Sequence, residues 1–186
     1  MNEQNPWQVT GRSEKYENNW IHVTEYQVIN PSGKDGIYGK VHFKNLAIGI
    51  LPLDDDWHTW LVGQYRFTID RYTWEIPEGG GAMDVDPVDS ARRELKEETG
   101  LEARHYTELL RLHLSDSITD EYSIIYLATG LTPGEAAPEE TENITVRRLP
   151  FDAAYAMVQS GEITDVMSVA AIQKVKLMIL EGQLPR

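Results

Sequence analysis

A chain of 186 residues, 41% of them hydrophobic, is long enough to bury one substantial core, so one domain, or one plus a small appendage, is expected. The formal net charge of −13 argues against a nucleic-acid groove, which draws its affinity from Lys and Arg on phosphates, and a phosphate ester bound here would need borrowed cations. With no cysteine, there is no disulfide, thiolate nucleophile or cysteine zinc site.

In chain order, the first 45 residues alternate polar and apolar side chains, as in Ile21-His22-Val23-Thr24-Glu25-Tyr26-Gln27-Val28, and turn at Asn30-Pro31-Ser32-Gly33. A hairpin-rich β segment is expected there. Leu46 to Leu51 is an unbroken apolar run, Asp54-Asp55-Asp56 a turn, and Trp60 to Arg66 a second strand, together the centre of a mixed sheet. Pro87 to Glu98 reads as a helix, with Asp86 to cap it, Pro87 at its first position and Gly100 just past its end. Val88, Ala91 and Leu95 give it a thin buried stripe. Strands follow over 106–114, 123–129 and 144–149. Two helices close the chain, Phe151 to Gln159 and Asp165 to Glu181, the second with Val166, Val169, Ala170, Gln173, Leu177 and Leu180 on one side. The pattern is an α/β sandwich of α+β type, with mixed sheet between helices. The opening residues have no basic region leading into an apolar stretch, and no run approaches the ~18 apolar residues that span a bilayer. The expectation is a cytoplasmic protein that binds no membrane.

The residues that carry chemistry lie between Gly79 and Leu101. On a helix Glu94 shares a face with Glu97 and Glu98, so three carboxylates converge near a helix C-terminus, where the macrodipole already disfavours anions. A hard divalent cation with oxygen ligands would offset that cost, and Mg²⁺ or Mn²⁺ fits the ligand types on offer. Spacing alone fits a second reading equally, a solvated helix face laced by pairs such as Arg93 with Glu97.

Arg93-Glu94-Leu95-Lys96-Glu97-Glu98-Thr99-Gly100-Leu101, with Gly79 at the right offset, resembles the signature box of the Nudix hydrolases. In that box a glycine, five residues, a glutamate and seven residues precede R-E-hydrophobic-x-E-E-x-G-hydrophobic. The first glutamate falls on Val85, which leaves Asp84 or Asp86 as the expected partner of Arg93. Gly63-Gln64-Tyr65-Arg66, Trp74 to Gly81 and Glu140-Thr141-Glu142-Asn143-Ile144 extend the resemblance to the branch that cleaves ADP-ribose and other nucleoside diphosphate sugars. The resemblance implies a Nudix-type α/β/α sandwich over residues 46–186, preceded by an N-terminal β segment, 1–45, that dimerises. It implies metal ligation by Glu94, Glu98, the backbone carbonyl of Glu78, and Glu142. Glu97, close by these ligands, and Glu140 are the implied catalytic residues, with Glu140 positioning or deprotonating the attacking water. The implied reaction is hydrolysis of a nucleotide sugar such as ADP-ribose or GDP-mannose to a nucleoside monophosphate and a sugar phosphate. Val85 motivates a rival, a nucleotide-sugar binder that does not cut. A nucleoside triphosphate pyrophosphohydrolase is the other.

Arg66, at a strand end, is either a phosphate clamp or a surface arginine. Trp7, Tyr16 and Trp20 are candidates to stack on a base, by analogy with the resembling branch. The polar stretch Ser115 to Glu121 is either the lining of a sugar site, with Glu121 in contact, or an ordinary solvent loop. The five histidines show no paired spacing, and structural roles are expected for them.

Overall fold

A computed structural model describes residues 4–134 and 143–184. Two compact units emerge, one of Met1–Asn45 with His113–Glu121, the other of Leu46–Leu112 with Tyr122–Arg186.

The smaller unit is an antiparallel sheet of β1 (Gln8–Glu17), β2 (Ile21–Ile29) and β3 (Asp35–Phe43), in that spatial order. Its turns are built as the side chains predict. Asn18 Oδ1 accepts from the Trp20 and Ile21 N–H groups at 2.8 Å each, and Asn30 Oδ1 accepts from Ser32 and Lys34, with Gly33 supplying a positive φ of 80°. Residues 113–121 are stitched to β3. The Val41 N–H donates to the Ile118 carbonyl at 2.9 Å, and the Tyr38 hydroxyl to the Ser117 carbonyl at 2.8 Å. Asp120 accepts from Lys40, His42 and the Phe43 N–H at 2.7–2.9 Å. Burial works against the Asp120 charge, but these donors outweigh it and hold its pKa down at about 2.

The larger unit contains a four-stranded sheet in the order β7 (Glu78–Ala82), β4 (Asn45–Pro52), β9 (Tyr122–Pro133), β8 (Leu101–His113). Strands β4 and β9 run parallel, Ile48 beside Ile124 and Ile50 beside Tyr126, so the sheet is mixed. A separate antiparallel sheet has β5 (His58–Arg66) between β10 (Thr145–Pro150) and β6 (Arg71–Glu75). Helix α1 (Pro87–Thr99) begins on Asp86, whose side chain accepts from the Val88 N–H, and stops at Gly100 with a φ of 72°. Alternation along the central strands sorts their side chains to two faces. Ile48, Ile50, Ile124 and Tyr126 pack with Ala91 and Leu95 of α1, each of those two fully buried. On the other face α3 (Val166–Leu180) comes so close that a Cβ at Gly49 would stand 2.8 Å from the Met167 methyl. The result is helix, sheet, helix. Helix α2 (Phe151–Ser160) packs against α3 and β10.

Three sequence expectations need correction. Trp60 to Arg66 does not share the central mixed sheet with Leu46 to Leu51, because β5 pairs instead with β6 and β10 in the separate antiparallel sheet. The side of α3 carrying Val166, Leu177 and Leu180 is exposed, and the helix buries Met167, Ser168, Ala171, Ile172 and Val175 instead. Strands β6 and β7 were not expected, being five residues each, and β7 is made mostly of glycine. Among the described residues no helix is long and apolar enough to cross a membrane.

Candidate active site

The site is assembled where β7 runs against α1. Glycine at position 79 is a packing requirement, because a Cβ there would collide with the Glu94 carboxylate. Glu94 and Glu98, one helical turn apart, are both buried, at 7% and 3% exposure. The Glu78 N–H donates to Glu98 Oε2 at 2.9 Å, which sets the Glu78 peptide alongside the helix carboxylate.

Glu97 does not join them in the interior. Arg93 Nη1 donates to Glu97 Oε2 at 2.7 Å, while its Nη2 donates to Glu94 Oε1 at 2.6 Å and to the Gly80 carbonyl at 2.7 Å. Burial opposes the Arg93 charge, and the two carboxylates more than compensate, raising its pKa. Neither Asp84 nor Asp86 is its partner. Asp86 caps the helix, Val85 is exposed, and Arg93 holds the glycine loop through the Gly80 carbonyl. The charge run therefore divides, with Glu97 paired to Arg93 at the half-buried face and Glu94 and Glu98 buried beneath it, so the three carboxylates do not converge on one patch.

Arg66, at the end of β5, faces the same lead-in. Its Nε donates to both Glu75 oxygens at 3.0 Å, and its Nη2 donates to Glu75 Oε2 and, at 2.7 Å, to Glu78 Oε1. Burial disfavours the guanidinium charge, yet Glu75 and Glu78 overcome it and push the pKa up. Glu78 is the electrostatic oddity. Burial first, then Asp165 and Glu75, raise its pKa well above the ordinary carboxylate value, with Glu98 adding and Arg66 opposing. Its Oε2 is buried and has no hydrogen-bond partner among the described residues.

Glu75 and Asp165 are the site residues that the sequence did not disclose. Glu75, 3% exposed, lies on β6, and Asp165 caps α3 by accepting from the Ser168 N–H at 2.7 Å. Ser168 in turn accepts from the Ile76 N–H at 2.9 Å, which ties α3 to the lead-in strand. Sequence alone places neither acid beside Glu78, because Glu75 meets Arg66 through the β5–β6 pairing and Asp165 approaches Glu78 through the docking of α3.

These donors suit a divalent cation in their chemistry. All are hard oxygens, the buried and unpartnered Glu78 Oε2 marks a place short of a positive partner, and Mg²⁺ needs only one or two carboxylates plus water and phosphate. The residues fit such an ion in kind. Among the described residues no three acids or histidines form a metal cage on their own. Glu140 and Glu142 lie outside the described residues.

Tyr16, Trp20 and Glu121 belong to the smaller unit. Tyr16 is 56% and Trp20 65% exposed, so their rings are available. Trp7 instead packs edge-on to Tyr38, with ring centroids 5.2 Å apart. The loop over 116–120 borders a cavity of about 410 Å³ lined by Trp7, Tyr26, Tyr38, Val28 and Ile118. His42 and His58 have structural partners, Asp120 Oδ2 at 2.7 Å and the Asp56 carbonyl at 3.0 Å.

The NUDIX domain model matches residues 43–167. The ADP-ribose pyrophosphatase of Mycobacterium tuberculosis is 35% identical over 146 residues, 75% of this chain and 69% of that protein. The ADP-ribose pyrophosphatase of Bacillus subtilis is 32% identical over 133 residues, 70% of this chain and 72% of that one. A crystal structure of an ADP compounds hydrolase superposes with a TM-score of 0.86 at 22% identity, covering 99% of both chains, which extends the likeness of fold to almost every residue. With carboxylates, glycine loop and capped helix standing where the box requires them, this chain belongs to the Nudix family, on its ADP-ribose pyrophosphatase branch.

Proposed function

We propose that this Nudix hydrolase cleaves the pyrophosphate bond of a nucleoside diphosphate sugar, with ADP-ribose the first candidate and GDP-mannose a second. The products are a nucleoside monophosphate and a sugar phosphate. One observation carries the reading: two buried carboxylates, Glu94 and Glu98, lie one turn apart against the glycine-rich strand β7, where position 79 leaves no room for a side chain.

In this reading Glu94, Glu98, the Glu78 peptide and Glu142 hold Mg²⁺ or Mn²⁺. When bound there, a divalent ion neutralises diphosphate charge and polarises the phosphorus under attack. Glu140 takes a proton from the attacking water, whose oxygen bonds in line to phosphorus. The bridging P–O bond breaks, and its electron pair leaves on the second phosphate. Arg66 orders Glu78 from beneath, and its remaining guanidinium edge faces the diphosphate. Glu97 steadies Arg93, so the glycine loop and Glu94 keep their places. Tyr16 and Trp20 serve the base and Glu121 the sugar. The N-terminal β segment, 1–45, which carries Tyr16 and Trp20, forms a homodimer in this reading, a role its exposed Val9, Tyr16, Trp20 and Ile37 support.

Val85 no longer favours a binder that does not cut, since the Arg93 contact with the Gly80 carbonyl fixes the loop without the missing glutamate. The test is incubation with Mg²⁺ and a panel of nucleotide sugars, with phosphate released from the products by a coupled phosphatase. ADP-ribose is expected to turn over. Binding without turnover across the panel would refute the reading, and release of pyrophosphate from nucleoside triphosphates in preference to the sugars would move it to the triphosphate class.

A further inference from the structure

A chain of hydrogen bonds runs from the middle of β6 to the helix carboxylate. The Thr73 hydroxyl donates to Glu75 Oε1 at 2.6 Å, and with both residues under 5% exposed this bond is shielded from water. Thr73 and Glu75 stand two apart on a strand and so share a face. Glu75 grips Arg66 with both oxygens, Arg66 Nη2 reaches Glu78 Oε1 at 2.7 Å, and the Glu78 N–H reaches Glu98 Oε2 at 2.9 Å.

A carboxylate buried this deeply is costly unless paired, and a well-packed apolar residue would stabilise the strand as well or better. Its presence therefore calls for a purpose other than stability. Two parallel bonds from a planar guanidinium fix direction as well as distance, which a lysine or a single bond would not do. Arg66 is thereby aimed at Glu78, and Glu78 is the residue whose peptide meets Glu98.

We propose that Glu75 is a positioning residue for the metal-binding carboxylate Glu98, acting through Arg66 and Glu78, with Thr73 setting its orientation. This rests on the functional reading above, in which Glu98 is a ligand. Replacing a direct hydrogen-bond partner of a metal ligand costs about 10- to 100-fold in metal affinity or activity, and Glu75, which acts through Arg66 and Glu78, belongs at the lower end of that range.

The test is Mn²⁺ binding in the absence of substrate, followed by the electron paramagnetic resonance signal of free Mn²⁺, on wild type, Glu75→Gln, Thr73→Val and the surface control Glu102→Gln. Glu75→Gln is expected to weaken Mn²⁺ binding roughly 10-fold. It should lower kcat by a similar factor, with KM for the nucleotide sugar changed less than about threefold. Thr73→Val, which deletes one hydroxyl and keeps the shape, should act in the same direction by roughly 3- to 10-fold, and it decides the matter if Glu75→Gln does not fold. Glu102→Gln should match wild type. A folded Glu75→Gln, or failing that Thr73→Val, with wild-type Mn²⁺ binding and kcat would overturn the proposal, even if its melting temperature falls, because that is the signature of a purely structural residue. Wild-type protein that neither binds Mn²⁺ nor hydrolyses would overturn the functional reading and this inference with it.

Discussion

Glu98→Gln separates the chemical role of a buried carboxylate from its structural one. The amide has the same shape and keeps an oxygen to accept the Glu78 N–H, now a neutral bond in place of a charge-assisted one at 2.9 Å. That exchange costs about 1 kcal/mol. Against it stands relief of repulsion, since Glu98 is one of the charges that raise the Glu78 pKa. Like charges on neighbouring side chains at an effective dielectric of about 20 repel by up to roughly 3 kcal/mol. The two terms leave the metal-free protein as stable as wild type or more so by up to about 2 kcal/mol. At about 2–4 °C per kcal/mol for a chain of this size, the melting temperature stays level or rises by up to about 8 °C. Turnover falls by about 10²-fold or more, as a ligand and its charge are lost together. Calorimetry in chelator gives the first number and the coupled phosphatase assay the second. Near-normal turnover at saturating substrate and Mg²⁺ would refute the ligand role, and a drop of more than about 5 °C in chelator would refute the electrostatic account.

Gly79→Ala should displace the Glu94 carboxylate, costing about 1–3 kcal/mol by overpacking and raising the Mg²⁺ concentration needed for half-maximal rate; an unchanged Mg²⁺ titration would exclude the contact. Asp120 has a depressed pKa, so its contribution is complete above about pH 4 and is lost as pH falls towards 2, and Tyr38 fluorescence or exchange of the Val41 amide should report loosening of the β3 edge in that window. Asp120→Asn should remove the transition. For the acidic segment, Glu140→Gln is expected to lower turnover by about 10²- to 10⁴-fold with Mg²⁺ dependence nearly kept, whereas Glu142→Gln also shifts that dependence. A crippled Glu139→Gln beside a normal Glu140→Gln would show that the register assigned to this segment is wrong.

What could be read in the sequence follows the range of the forces involved. Asp86, Pro87 and Gly100 bound α1 through hydrogen bonds and φ angles that involve neighbouring residues only, and the helix begins and ends where they say. Asn30 acts on amides two and four residues away, and its turn was equally legible, whereas the turn at Asn18, built the same way, was not read. Glu94 and Glu98 are close because a helix has 3.6 residues per turn. By contrast, Glu75 reaches Arg66 only because β5 and β6 pair antiparallel, and Asp165 approaches Glu78 only because α3 lies against the sheet. The buried face of α3 was misread for a related reason. Its residues are apolar nearly all round, so periodicity gives no direction, and the choice is made by the gap at Gly49 that admits Met167. Arg93 reaches the Gly80 carbonyl as well as Glu94 and Glu97, and a backbone acceptor brought in by β7 has no letter in the sequence.

The smaller unit is not a bead threaded on the N-terminus. Its sheet comes from the first 45 residues, but its fourth component, residues 113–121, is supplied from between β8 and β9. Cutting the chain after Asn45 would strip Asp120 of Lys40, His42 and the Phe43 amide at once, and would leave the Ile118 carbonyl without the Val41 N–H. The remainder would carry an orphaned loop in place of a clean edge. The two stretches must therefore be inherited, grafted or deleted together, and a chimaera that exchanges the N-terminal strands without their matching loop should lose the latch that joins them.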